Sequence, residues 1–220
     1  NSPVDKSTAG WIVNMVSNRY ITVTHKTHTK RVRITRGCPQ GGILSPFLWN
    51  LIVDDLLSFT ADKLPGYLQA FADDLVGLAE GQDLEYICER TQKTINTIES
   101  WCKSKGLNIS NLKTKVVMFT WRKKWTLPKS IMVEGKPVEL SGSTKFLGVT
   151  LDSKLNFNEH IRNITKKATM LLMQCKKAVG PTWGMTPKTC RWIYTSVVRP
   201  VLSYASVVWV NAVSYTHLRA

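Results

Sequence analysis

Apolar and polar positions divide this 220-residue chain into short alternating runs and longer helical stripes. A short mixed helix candidate begins near Trp11. The following stretch, "YITVTHKTHTKRVRI", alternates β-branched residues with Lys, Arg and His, the pattern of exposed strands with a basic face. Ser45 and Pro46 supply an N-cap and a first helical turn, after which Phe47, Leu48, Leu51, Ile52, Leu56 and Phe59 keep helical spacing. The runs "YLQAF" and "LVGL" are short and β-compatible, and Ala72-Asp73-Asp74 lies between them. A hairpin with both carboxylates at its tip is predicted. Asp83 then caps a long amphipathic helix in which Leu84, Ile87, Thr91, Ile95, Ile98 and Trp101 recur every three or four residues before Gly106 stops it.

Past that helix, "LNISNLKTKVVMFT" predicts a turn around residues 108–111 leading into a strand, "IMVEGKPVEL" a hairpin over Glu134-Gly135, and "TKFLGVTLD" one more strand. Short strands joined by tight turns and interleaved with helices predict an α+β domain around an antiparallel sheet. From Asn158 the pattern changes to a helical stripe of Ile161, Ile164, Ala168, Leu171, Leu172 and Cys175, which Gly180-Pro181 ends. A second helical region follows Pro187, so the C-terminal part reads as a small helical module. The last eight residues, "VSYTHLRA", fit neither element and resemble the translation of a sequencing adapter, so residues 213–220 read as a sequencing or expression scar.

Charge narrows the partners. Lys and Arg number 30 against 15 Asp and Glu, a formal charge of +15, which concentrates phosphate polyanions around the protein and makes nucleic acid the first expectation. No apolar run approaches the roughly 18 residues of a membrane span, so the expectation is an intracellular protein with no membrane partner. The five cysteines are odd in number, widely spaced and without a CxxC pair, the usage of reduced thiols.

Two features carry candidate chemistry. Gly37, Gly41 and Gly42 strip side chains from the loop "RGCPQGG", which would let its backbone and Gln40 approach a nucleotide or a base pair, although an ordinary tight loop has the same composition. Asp73 and Asp74, held together by a turn, are hard oxygen ligands of the kind Mg²⁺ takes, and paired ions in that setting serve phosphoryl transfer. Aspartate is also a common turn former, so the pair alone is compatible with a solvated tip.

In combination and in order, "RGCPQGGILSPFLWNLIVDDLL", "FADD", "GLNISNLKT" and "KFLGV" resemble the palm motifs of reverse transcriptases, most closely those of LINE-type, non-LTR retrotransposons of the jockey group. The resemblance implies a polymerase palm, an antiparallel sheet with helices packed on one face, followed by a small helical thumb. Residues 1–153 would be partial fingers and palm, and 154–212 thumb and connection. It implies that Asp73 and Asp74 are catalytic and bind metal, Mg²⁺ or alternatively Mn²⁺, and that Phe71 opens their box. Arg36, Gly37, Pro39, Gln40, Gly41 and Phe71 would meet nucleotide and template, and Lys113 would assist the leaving pyrophosphate. Phe146, Leu147 and Gly148 match the strand of the primer grip.

Implied partners are an RNA template, a DNA primer and deoxynucleoside triphosphates, with an upstream endonuclease domain in the parent protein and a nuclear location for the parent element. The family also uses an aspartate from an earlier strand that no aspartate here matches: Asp5 lacks its context, and Asp54 and Asp55 lie on the helix behind the PQG loop. A polymerase fragment, inactive by itself, is therefore the expectation. A non-catalytic nucleic-acid-binding remnant is the alternative, whereas a viral RNA-directed RNA polymerase is disfavoured by Phe71-Ala72 before the aspartates and by the PQG loop.

Overall fold

A computed structural model describes residues 5–17, 19–61, 63–64, 66–122, 125–177, 180 and 183–212. Residues 213–220, read above as a scar, and Pro181 of the helix stop lie outside them. The chain divides into two compact units, Asn1–Leu107 and Asn108–Ala220. Their described residues form a mixed α+β fold of helices and small antiparallel sheets.

The first unit opens with α1 (Lys6–Val16), capped by Asp5, whose carboxylate accepts the backbone N–H groups of Ser7 and Thr8 at 2.9 and 3.0 Å. The hairpin β1 (Arg19–His25) and β2 (His28–Ile34) follows, then α2 (Ser45–Ala61), the hairpin β3 (Tyr67–Phe71) and β4 (Asp74–Leu78), and α3 (Leu84–Lys105). The predicted start and stop signals of α3 act as expected. Asp83 accepts the N–H of Tyr86, and Gly106 ends α3 in the left-handed region at φ 69°.

The core of this unit lies where α2 meets α3, around Leu56, Thr60, Cys88, Ile98, Trp101 and Cys102. Burying Leu56, which is 1% exposed, contributes about 2 kcal/mol. Asp55 ties the same helices at their rim, accepting Trp101 Nε1 at 2.9 Å and pairing with Lys105 at 2.8 Å. The predicted helix is present, but its apolar stripe is only partly covered, since Phe47, Leu51, Ile52 and Phe59 are exposed. Helical spacing fixed the helix, but α3 covers only the narrow strip around Leu56 and Thr60.

In the second unit the strand predicted after residue 111 reduces to a single bridge between Val116 and Leu140. The backbone bonds there are sparse: Val116 N–H donates to Glu139, the Val116 carbonyl accepts Ser141 N–H, and Thr120 N–H donates to Ser153. The predicted Glu134-Gly135 hairpin is present as β5 (Met132–Val133) and β6 (Lys136–Pro137), with both loop residues at positive φ, 47° and 73°. "TKFLGVTLD" is not one strand. It folds as a hairpin, β7 (Ser143–Phe146) and β8 (Val149–Asp152), turned by Leu147 at φ 45° and Gly148 at φ 85°. Two successive positive-φ residues match the twist of antiparallel strands, and glycine at the second makes the reversal accessible. A continuous antiparallel sheet is likewise not formed among the described residues, whose strands make four separate two-stranded ladders.

Helix α4 (Asn158–Lys177) packs its predicted stripe against β8 and against α6 (Arg199–Ser203), with Ala168 buried and Leu172 left exposed. Asp152 sets its entry by accepting the N–H groups of Lys154, Asn156 and Phe157. Between α5 (Pro187–Ile193) and α6, residues Tyr194–Val198 widen into one π turn, with Arg199 N–H donating to Tyr194. Pro200 has no N–H to continue the ordinary ladder there. The short α7 (Ser206–Trp209) follows, and none of the five cysteines forms a disulfide. Among the described residues no single helix is long and apolar enough to cross a membrane, although Pro187–Ser203 with Ser206–Ala212, bent by 44°, passes by length and composition.

Candidate metal and nucleotide site

The two aspartates occupy different positions on one tight turn. Phe71 pairs with Asp74 across β3 and β4, leaving Ala72 and Asp73 as the two-residue loop. Asp73 is therefore a loop residue and Asp74 the first residue of β4. Ala72 adopts φ 51°, in the left-handed region that costs a non-glycine residue about 1–2 kcal/mol.

Alternation along the strands sorts the side chains. Leu68 and Gly77 share the face toward the helices, where a Cβ on Gly77 would touch Thr94 of α3 at 3.4 Å. Phe71 and Asp74 share the other face, which is open: Phe71 is 60% exposed, and Asp73 and Asp74 are exposed beside it.

A residue that the sequence reading passed over holds this turn. Trp49, half-buried on α2, donates its indole N–H to the carbonyl of Ala72 at 2.8 Å. Trp49 lies one turn into the helix that the PQG loop feeds, so one rigid element positions both features. Nothing in the periodicity marks it, because a tryptophan beside an apolar stripe reads as packing.

The loop itself folds back on the helix start. The carbonyl of Pro39 accepts both Ser45 Oγ, at 2.5 Å, and Gly42 N–H, at 3.1 Å. Gly41 sits at φ 80°, and a Cβ on Gly42 would come within 2.8 Å of Ser45 Oγ, so side chains are excluded for different reasons at the two glycines. Gln40 is exposed at the apex. Arg36 and Gly37 do not face open space alone. Arg36 donates to the carbonyl of Gly106 at 3.4 Å, and Arg19 donates to the carbonyls of Arg36 and Gly37.

Lys113, Phe146, Leu147 and Gly148 belong to the second unit. Lys113 is exposed in a turn whose neighbour Asn111 donates to the carbonyls of Val133 and Lys136 at 3.0 and 3.3 Å. That asparagine anchor was not foreseen. Phe146 is half-buried and closes the β7–β8 turn, and the Leu147 carbonyl accepts the hydroxyl of Tyr204.

Two of the other aspartates, Asp5 and Asp55, have structural partners. Asp5 caps α1, and hydrogen bonds from the Thr8 hydroxyl and N–H hold its carboxyl below the ordinary range. Asp55 is held low by Lys105 and then by the Trp101 N–H. Among the described residues no group of three or more His, Cys, Asp or Glu side chains is placed to hold a metal ion. Asp73 and Asp74 fit such an ion by donor type, as exposed oxygen ligands that leave room for water and substrate oxygens.

A family model described as reverse transcriptase (RNA-dependent DNA polymerase) matches residues 3–151. The chain is 29% identical over 197 residues to a 115 kDa protein in type-1 retrotransposable element R1DM of Drosophila melanogaster, covering 88% of this chain and 18% of that protein. A retrovirus-related Pol polyprotein from type-1 retrotransposable element R1 2 of Nasonia vitripennis is 27% identical, over 83% of this chain and 45% of its own length. The RNA-directed DNA polymerase from mobile element jockey of Drosophila melanogaster is 25% identical, over 80% of this chain and 19% of its own. The chain thus spans less than half of each of these curated relatives. No solved structure matches it.

Proposed function

We propose, from the premise that this chain belongs to the reverse transcriptase (RNA-dependent DNA polymerase) family, that it is the segment of a LINE-type retrotransposon polymerase carrying the aspartate pair and the PQG loop. The activity of the parent is RNA-directed DNA synthesis, with an RNA template, a DNA primer and deoxynucleoside triphosphates as substrates. One observation carries the reading. The exposed Asp73-Asp74 turn is hydrogen-bonded through Trp49 to the helix that the PQG loop opens, so candidate metal ligands and candidate nucleotide contacts are fixed by one element.

In this reading residues 1–153 are partial fingers and palm, 154–212 are thumb and connection, and 213–220 are a scar. Asp73 and Asp74 would hold a divalent ion, Mg²⁺ with Mn²⁺ as its substitute, which when bound neutralises charge developing on the phosphoryl oxygens. Gln40, Gly41 and Pro39, beside Arg36 and Gly37, orient nucleotide and template, and Phe71 bounds the open face beside Asp74. Lys113 brings positive charge to the leaving pyrophosphate. Phe146, Leu147 and Gly148 support the primer end. An endonuclease domain elsewhere in the parent, suggested by the resemblance to LINE-type elements, would nick the target.

A non-catalytic nucleic-acid-binding remnant stays a second reading. It is favoured by a net charge of +15 beside a site whose described carboxylates number only the adjacent pair. Primer extension on an RNA template by the parent polymerase, wild type against Asp73→Asn, separates the two. Extension that depends on Asp73 supports the polymerase, and nucleic-acid binding without extension by the wild-type parent supports the remnant.

A further inference from the structure

The β1–β2 hairpin is exposed along its length, with only Arg19 and Ile34 at its base half-buried. Its register divides it into two unlike faces. Tyr20 lies opposite Arg33, Thr22 opposite Arg31 and Thr24 opposite Thr29, so these six share one polar face. The other face carries Ile21, Val23, Val32 and Ile34 together with Arg19, Lys30, His25 and His28, so it mixes apolar and basic side chains.

On the polar face the Arg31 guanidinium stacks on the Tyr20 ring, 4.1 Å from its centroid, and the hydroxyls of Thr24 and Thr29 meet at 3.1 Å. No acidic residue occurs between Asp5 and Asp54, so this whole stretch of sequence contributes only positive formal charge. Arg31 and Arg33 stand two residues apart on one strand, about 6.6 Å, comparable with the distance between neighbouring phosphates of one nucleic-acid strand. An arginine spread on an aromatic ring also presents a flat cation on which a base can stack. The hairpin is tied to the loop that follows it. Arg19 donates to the carbonyls of Arg36 and Gly37, and β2 ends at Ile34, shortly before Pro39-Gln40-Gly41.

We propose that the Tyr20, Arg31 and Arg33 face of this hairpin binds a single-stranded stretch of nucleic acid, the template leading toward the PQG loop. The assignment rests on the polymerase reading above and adds a contact surface to it. Charge complementarity and the stacked arginine identify the occupant as an unpaired strand rather than a protein.

The test is fluorescence anisotropy of the 220-residue chain with a labelled single-stranded RNA oligonucleotide and with a blunt duplex, across a salt series. Arg31→Gln/Arg33→Gln is compared with Lys93→Gln/Lys103→Gln, which removes equal charge from the exposed side of α3, and circular dichroism checks that each variant is folded. The hairpin variant is expected to bind the single strand roughly 10- to 30-fold more weakly near 0.1 M salt. The slope of log K against log salt should be shallower by about 1.4, the value for two phosphate contacts on a single strand. The α3 variant should keep most of the affinity. Tyr20→Leu should weaken binding and Tyr20→Phe restore it.

Equal losses in the hairpin and α3 variants, or equal loss of single strand and duplex, overturn the assignment while leaving the polymerase reading intact. Failure of the wild-type chain to bind either nucleic acid removes the nucleic-acid reading and this surface with it.

Discussion

Tyr204 donates its phenolic hydrogen to the main-chain carbonyl of Leu147 at 2.9 Å, joining the end of α6 to the turn between β7 and β8. The same ring limits the turn sterically, because a Cβ on Gly148 would lie 2.9 Å from Tyr204 Cε1. Tyr204→Phe should cost about 0.5–1 kcal/mol, the lower range for a net hydrogen bond, since the exposed Leu147 carbonyl can turn to water. Thermal denaturation of the two proteins gives the difference directly.

Gly148→Ala should cost more. Its φ of 85° is strained for any side chain, about 1–2 kcal/mol, and the contact with Tyr204 adds an overpacking cost of about 1–3 kcal/mol. A double-mutant cycle divides these contributions. If the clash is real, Gly148→Ala should be less harmful in a Tyr204→Ala background, and strict additivity of the two changes would mean that the ring does not confine the turn.

That turn also shows where sequence patterning stops. "KFLGVTL" is a run of β-compatible residues, and only the Leu147-Gly148 pair signals a reversal. Leucine at positive φ is a poor signal, so its conformation depends on tertiary partners such as Tyr204. Asp83 and Gly106, by contrast, define α3 through local chemistry alone, and both ends were legible. The aspartate hairpin was legible because its two apolar runs are short and its turn is polar. Trp49 was not, since only the folded chain shows its indole N–H meeting Ala72. The stripe of α2 was read correctly as helix, but no pattern within it distinguishes Leu56, which is covered, from Leu51, which is not.

Stability should fall in acid through Asp55. Its carboxyl is held below the ordinary value of 3.8, first by Lys105 and then by the Trp101 N–H. A depressed folded-state value means that the contribution is present above pH 3.8 and is lost as pH falls through the folded value. Urea denaturation of wild type and Asp55→Asn across pH 2.5–6, a window of roughly this span around an ordinary carboxylate, should show the curves converging at the acid end. Curves that stay parallel would remove Asp55 from the α2–α3 contact.

His160 acts in a higher window. It is 1% exposed, accepts the Thr150 N–H on Nδ1 at 3.3 Å and lies edge-on to Trp209 with centroids 5.7 Å apart. Its Nε2 has no hydrogen-bond partner among the described residues, and burial, then the charge of Lys145, pushes the imidazole below its ordinary 6.5. The fold therefore favours neutral histidine, and its contribution is complete above pH 6.5 and is lost as pH falls below that. His160→Leu should flatten this dependence while costing about 1–3 kcal/mol at pH 8, because the Thr150 N–H loses its acceptor. Chemical denaturation at pH 8 and at pH 5.5 tests both halves, and an unchanged pH slope in the variant would show that another group titrates there.

The last prediction separates the roles of three residues around the aspartate turn. In the parent polymerase Asp73→Asn should abolish primer extension and leave duplex binding nearly intact, since a carboxylate that holds a cation contributes little to phosphate-backbone affinity. Trp49→Phe keeps the ring on α2 but removes the 2.8 Å bond to Ala72, so it should slow extension, by up to roughly 10²-fold if the turn shifts by an ångström, without abolishing it. Gln40→Ala should lower rate or fidelity and spare the rest, because Gln40 lies exposed at the loop apex and holds no ion. The 220-residue chain alone should show no extension, as Asp73 and Asp74 are joined by no further metal-ligating side chain among the described residues. Single-turnover extension and filter binding on each variant distinguish the cases. Full activity in Asp73→Asn would return the turn to a solvated hairpin tip, and a Trp49→Phe rate equal to wild type would show that α2 does not position it.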